Sequence, residues 1–153
     1  MTDSRKAMMQ VEFRLPSQQK VVGFVITLRY SKQDPLAVEI SLPTSATANL
    51  YWALATHPFF GSQSSRPYTV SRDLLYDGMF GLEGEGSAVV WPSQQDNDEV
   101  VFLGLRNTLG EALLAFPAGA LADFLIGTYS LVQRGTEQLD SSWCDLLLER
   151  PAA

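Results

Sequence analysis

The sequence predicts an α+β domain in which helices cover one face of antiparallel sheet. Three observations carry this. Apolar residues alternate with polar ones in three successive N-terminal runs separated by short turns, as in a meander. A later run, Glu99 to Arg106, is apolar on both faces. An apolar stripe at helical spacing then follows Pro117. At 153 residues, 46% hydrophobic and 18% charged, the chain fits one domain with a sizeable core.

In order along the chain, Met9, Val11, Phe13 and Leu15 alternate with Gln10, Glu12 and Arg14, and Pro16-Ser17 stops this first strand. Val22, Phe24, Ile26, Leu28 and Tyr30 mark a second strand. "SKQDP" supplies a turn, with Asp34 and Pro35 carrying its chemistry. Leu36, Val38, Ile40 and Leu42 form a third alternating set, with Glu39 and Ser41 facing outward.

The pattern then breaks across about 44–67, which reads as an inserted segment inside the single domain 1–153. "PYTV" is a short strand leading to Ser71, a good helix N-cap, with Asp73 in the first turn where its charge suits the helix dipole. Leu74 and Leu75 face inward, and Gly78 is placed to end the helix in a left-handed conformation.

"GLEGEG" follows as a flexible joint, and Ala88 to Trp91 as a strand closed by Pro92. Glu99 to Arg106 is a central or interface strand, and "NTLG" turns it back into Ala112–Phe116. Pro117 occupies the first helical position of an element whose stripe is Ala118, Leu121, Ala122, Leu125 and Tyr129, with Phe124 beside it. "QRGTE" breaks that helix, and Asp140 or Ser141 caps a last one carrying Trp143, Leu146 and Leu147.

Composition argues against several functions. Eleven Lys and Arg face seventeen Asp and Glu, a net charge of -6, and no basic cluster exceeds Arg5-Lys6. Nucleic acid is therefore an unfavoured partner, since neutralising phosphates requires a basic stripe. With one cysteine, Cys144, and one histidine, His57, thiolate clusters and most nucleophile–base pairs are excluded. No run reaches membrane-spanning length and no apolar leader opens the chain, so a cytoplasmic location is expected.

"GLEGEG" is no phosphate loop: it lacks the Gly-Lys-Ser/Thr ending, it precedes a strand, and Glu83 and Glu85 would repel a phosphate. Those two carboxylates read as solvated loop residues rather than an acid–base pair. No serine elbow occurs. Trp52, Trp91 and Trp143 suit packing or a subunit interface better than base stacking in so acidic a chain. No catalytic, cofactor or metal residue emerges, and the residues point to a non-enzymatic protein that works by protein contacts.

The ordered segments "LRYSKQDPLAVEISL", "VSRDLLYDGMF", "GSAVVWP", "LGEALLAFPAGALADFL" and "RGTEQ" together resemble the SsgA/SsgB-like family of actinobacterial sporulation and cell division proteins. The resemblance implies a non-enzymatic role in positioning or promoting the sporulation septum. One branch is similar to a recruiter of FtsZ, and family members contact one another. The implied fold is an antiparallel α/β domain related to the Whirly and mitochondrial guide-RNA-binding proteins, assembled as a bell-shaped trimer; a Whirly-like single-stranded nucleic-acid binder is the alternative reading. The septum is the implied location.

The family motif falls on Arg72, Asp73, Trp91-Pro92, Glu111 and Pro117, for which capping, ion pairing and packing, including at a trimer interface, are implied. The stretch Tyr51 to Pro67 departs from the family, and its Trp52, Phe59 and Phe60 are expected to pack on the body or on a partner.

Overall fold

In the computed structural model the described residues are 3–15, 20–41, 68–107 and 110–137. They form eight strands and two helices. In chain order these are β1 Ser4–Leu15, β2 Lys20–Ser31, β3 Asp34–Ser41, β4 Tyr68–Ser71, α1 Arg72–Asp77, β5 Glu83–Glu85, β6 Ala88–Gln95, β7 Asp98–Asn107, β8 Gly110–Pro117 and α2 Ala118–Leu131. The inserted stretch and the helix expected beyond Asp140 lie outside the described residues.

All strands join one antiparallel sheet in the order β4-β3-β2-β1-β8-β7-β6-β5. The chain thus lays down two four-stranded meanders, each followed by a helix. They meet along a short seam in which Glu12, Phe13 and Arg14 pair with Ala115, Leu114 and Leu113. α2 packs on β1, β7 and β8, across that seam. α1 touches β3 and β4 from one end of the order and β5 and β6 from the other, so the sheet curls into a half-barrel around the core.

The alternation read from the sequence sets the core face. Met9, Val11, Phe13, Phe24, Ile26, Leu28, Tyr30, Val38 and Ile40 are buried, as are Val101, Leu103 and Leu105 of β7 and Ala112, Leu114 and Phe116 of β8. Leu75 of α1 and Leu121, Phe124 and Leu125 of α2 close over them. Each of the buried Val, Leu, Ile, Phe and Met side chains contributes on the order of 1.5–3 kcal/mol of transfer free energy.

Several local expectations are corrected. "GLEGEG" is no loose joint: Glu83–Glu85 pairs with Ala88–Val90 as a tight hairpin. Gly84 and Gly86 have φ of +96° and +77°, a region open to glycine. β6 does not stop at Pro92 but runs to Gln95, with Pro92 opposite Val101. The pairing of β5 with β6 ends at Val90, so the missing N–H of Pro92 leaves no ladder bond on that side unmade.

Gly78 caps α1 with φ -67° rather than in the left-handed region. It is glycine for space, since a Cβ there would strike the Val90 side chain. Asp34 and Pro35 already belong to β3, and the turn is Lys32-Gln33. A register irregularity between Arg29 and Ser31 accompanies a change of facing, with Pro35 buried and Leu36 44% exposed. Pro117 is the N-cap of α2, with φ -65° and ψ 123°, one residue earlier than the helical position expected.

Candidate functional site

Arg72 and Asp73 open α1, which Ser71 caps by accepting a hydrogen bond from the Leu74 N–H at 3.2 Å. The cap fixes the first turn so that Arg72 points into the core and Asp73 along its rim. Arg72 is fully buried. Its Nη1 donates to the carbonyl of Thr128 (3.2 Å), which also accepts the Val132 N–H, and to that of Val132 (2.7 Å), at the negative C-terminal end of α2.

Nη2 of Arg72 donates to Glu137 Oε1 at 2.7 Å, while Glu137 Oε2 accepts from the Gly135 N–H at 2.8 Å. The guanidinium also lies 4.1 Å from the Tyr129 ring centroid and 4.8 Å from that of Tyr30. Of its nitrogens, only Nε finds no acceptor among the described residues. A planar fork with several donors suits this arrangement, and a lysine could not reproduce it.

Asp73 accepts from the Tyr129 hydroxyl at 2.6 Å and pairs with Arg134 Nε at 3.4 Å. Arg134 also grips Asp77 through both nitrogens, at 2.6 and 2.8 Å. The hydrogen bond from Arg134 holds the Asp77 carboxyl below its ordinary value, against an opposing effect of burial. Burial pushes the Glu137 carboxyl up, but its own backbone N–H, Arg72 and the Gly135 N–H outweigh this and hold it low. Burial, then the bond to Asp73, pushes the Tyr129 phenol well above the usual tyrosine range.

Trp91 sits elsewhere, on the sheet face opposite the core. Its ring stacks on Phe102 with centroids 5.4 Å apart and planes at 27°, and the Arg14 guanidinium lies 5.6 Å from the Phe102 centroid. Glu12 accepts from Arg14 and from Gln95, each at 3.1 Å. Gly104 lets the indole lie flat, because a Cβ there would come 3.0 Å from Trp91 Cζ3. Leu82, Val89, Trp91 and Leu113 wall a cavity of about 540 Å³ on this face, with Arg106 at its margin.

The structure therefore brings Arg72 and Asp73 together, puts Trp91 on the other side of the sheet, and places Pro117 at the start of α2. Glu111 pairs through its backbone with Arg106. Asp77, Arg134 and Glu137 join the junction without having been singled out, and Tyr129, read only as part of the apolar stripe, joins it through its hydroxyl. The signal for two of them was the "RGTEQ" segment, which holds Arg134 and Glu137.

Chemically, Asp73, Asp77 and Glu137 are paired with arginines, which suits holding helices rather than moving protons. Among the described residues no group of three His, Cys, Asp or Glu could hold a metal ion, and no helix is long and apolar enough to cross a membrane.

Residues 55–137 match the family model described as Streptomyces sporulation and cell division protein, SsgA. The sporulation-specific cell division protein SsgB of Streptomyces coelicolor is 36% identical over 126 residues, covering 80% of both chains. The chain belongs to the SsgA family. Its SsgB relative in Frankia casuarinae is 33% identical over 116 residues, 76% of this chain and 70% of that one.

Solved SsgA-like structures share the fold. A crystal structure of an SsgA-like sporulation-specific cell division protein from Thermobifida fusca superposes with a TM-score of 0.69 at 25% identity, covering 97% of this chain and 96% of the other. A structure from work linking SsgB mutations to longitudinal cell division during sporulation of Streptomyces coelicolor gives 0.64 at 30% identity, covering 90% and 94%. The antiparallel sheet with two helices is thus the form that this SsgA-family chain shares with them.

Proposed function

We propose that this SsgA-family chain is a non-enzymatic regulator of sporulation-specific cell division, acting at the septum through protein–protein contacts. The observation that carries this reading is how its side chains are used. The charged groups at the helix junction are consumed in internal pairs, while Met8, Phe80, Leu82 and Ile126 stand 56–73% exposed. Large exposed apolar side chains beside polar ones mark surfaces that meet proteins.

In this reading the chain self-associates, as a trimer, and contacts relatives of its own family, with FtsZ as a further candidate partner. Arg72, Asp73, Glu111 and Pro117 keep the body rigid, and Trp91 lies on a contact face. The test is a pull-down from sporulating-cell lysate with the native chain beside one lacking Tyr51–Pro67, together with sedimentation. Retention of a division protein or a family relative by a stable oligomer is expected; a strict monomer retaining neither would refute the reading.

One observation favours a second reading. The Trp91–Phe102 stack with Arg14 beside it is a platform on which single-stranded bases could lie. Absence of any oligonucleotide mobility shift at low salt would eliminate it.

A further inference from the structure

The charge along the chain is unevenly distributed. Between Asp73 and Leu105 stand seven acidic residues (Asp73, Asp77, Glu83, Glu85, Asp96, Asp98 and Glu99) and no Lys, Arg or His. Arg134 reaches back to neutralise Asp73 and Asp77. Glu83 and Glu99 are exposed, and neither has a cation partner among the described residues.

The same stretch carries the two most exposed large apolar side chains among those described, Phe80 at 73% and Leu82 at 70%. They stand two residues apart between α1 and β5. Leu82 forms one wall of the 540 Å³ cavity under Trp91. Phe80, braced edge-on against Tyr76 with centroids 5.2 Å apart, overlooks a second hollow of about 430 Å³ that reaches Pro92 and Glu99. An apolar double knob thus stands before the β5 edge of the sheet. Glu83, next to Leu82, and Glu99, in the hollow under Phe80, form an acidic rim on one side, and Arg106 lines the cavity on the other.

We propose that the Phe80–Leu82 knob and its acidic rim are a docking site for a basic amphipathic segment of another protein. Apolar side chains of that segment cover Phe80 and Leu82 and enter the hollow beside Phe80, and its Lys or Arg residues meet Glu83 and Glu99. The rim selects the occupant: anionic lipid and nucleic acid are repelled, and an acidic helix is discriminated against by like charge. This deepens the protein-contact reading above by naming the surface and the chemistry of the partner.

The test uses the full chain and two synthetic helix-forming peptides with leucines on one face. One carries lysines on the other face; its charge-reversed counterpart carries glutamate in place of every lysine. Titration followed by Trp fluorescence is expected to show binding of the lysine peptide, weakening as salt rises, and none of the glutamate peptide. Phe80→Ser with Leu82→Ser weakens that binding by about tenfold or more. Glu83→Lys with Glu99→Lys reverses the preference between the two peptides, and unchanged unfolding midpoints show that both variants fold.

Equal binding of both peptides, binding of neither, or indifference to both variants overturns the proposal. So does conversion of an oligomer to monomers by Phe80→Ser with Leu82→Ser, which would assign the knob to a second copy of the chain. The two levels fail separately. If the serine variant retains a division protein from lysate as well as the native chain does, this surface is wrong and the protein-contact reading stands. If the peptides behave as expected and the native chain retains nothing, the surface stands and the division role falls.

Discussion

Arg72 holds Glu137 at 2.7 Å across sixty-five residues of chain, from the first residue of α1 to the strap that follows α2. Both side chains are nearly or fully out of water, so the pair is an internal fastening of the two helix-bearing halves. Its effect on stability follows from what remains when one partner is removed.

Arg72→Met should destabilise the fold by about 3–5 kcal/mol, because it leaves the Glu137 carboxylate without its cation and takes a donor from the Val132 carbonyl. Arg72→Lys should recover only part of the loss, since an ammonium cannot span three acceptors between two rings. Urea unfolding checks both: the midpoint should fall in the order native, Lys, Met. A Met variant as stable as the native chain would show that the fastening contributes nothing.

The depressed Glu137 and Asp77 carboxyls give a pH dependence of definite sign. A folded-state pKa below the unfolded one stabilises the fold above the unfolded value, and that contribution is lost as pH falls through the folded value. With ordinary values of 4.5 and 3.8, the loss begins below about pH 4.5 and deepens with further acid. Glu137→Gln should flatten the upper part of this fall. Chemical unfolding repeated at stepped pH reads the slope directly.

Gly78→Ala should cost about 1–3 kcal/mol, because the new methyl has to displace Val90 in a packed core. Gly81→Ala, three residues on, meets nothing within 4 Å and should be close to neutral. The comparison separates a packing requirement from a general glycine effect. Equal costs at the two positions would refute it.

The Arg134 pairs should behave differently from the Arg72 pair. Arg134 and Asp77 are 49% and 33% exposed, so Arg134→Gln should cost only about 0–1 kcal/mol, and high salt should abolish the difference. A loss as large as that of Arg72→Met, and insensitive to salt, would mean that the strap depends on Arg134 far more than its exposure implies.

How legible was this in the sequence? Local periodicity, cap chemistry and family motifs were enough for seven of the eight strands, all but β5, and for the Ser71 cap, the α2 stripe and the SsgA assignment. Alternation reports which face of a strand is buried, as at Val11, Phe13 and Ile26, but not which strands are neighbours. The pairing of β1 with β8 therefore had no local signal. The same limit misread Pro92: an unpartnered flank, a tertiary fact, is what lets proline sit within β6.

By itself, then, the sequence determined the antiparallel α+β class, the family and the scarcity of catalytic groups, because these depend on composition and short-range pattern. Only the tertiary structure decided that Arg72 is buried between Tyr30 and Tyr129, or that Gly78 is glycine because Val90 lies against it. An arginine next to an aspartate reads as a pair of solvated charges until the fold supplies α2's carbonyls and Glu137. Burial of a charge depends on partners brought from distant parts of the chain, and no local window of residues contains them.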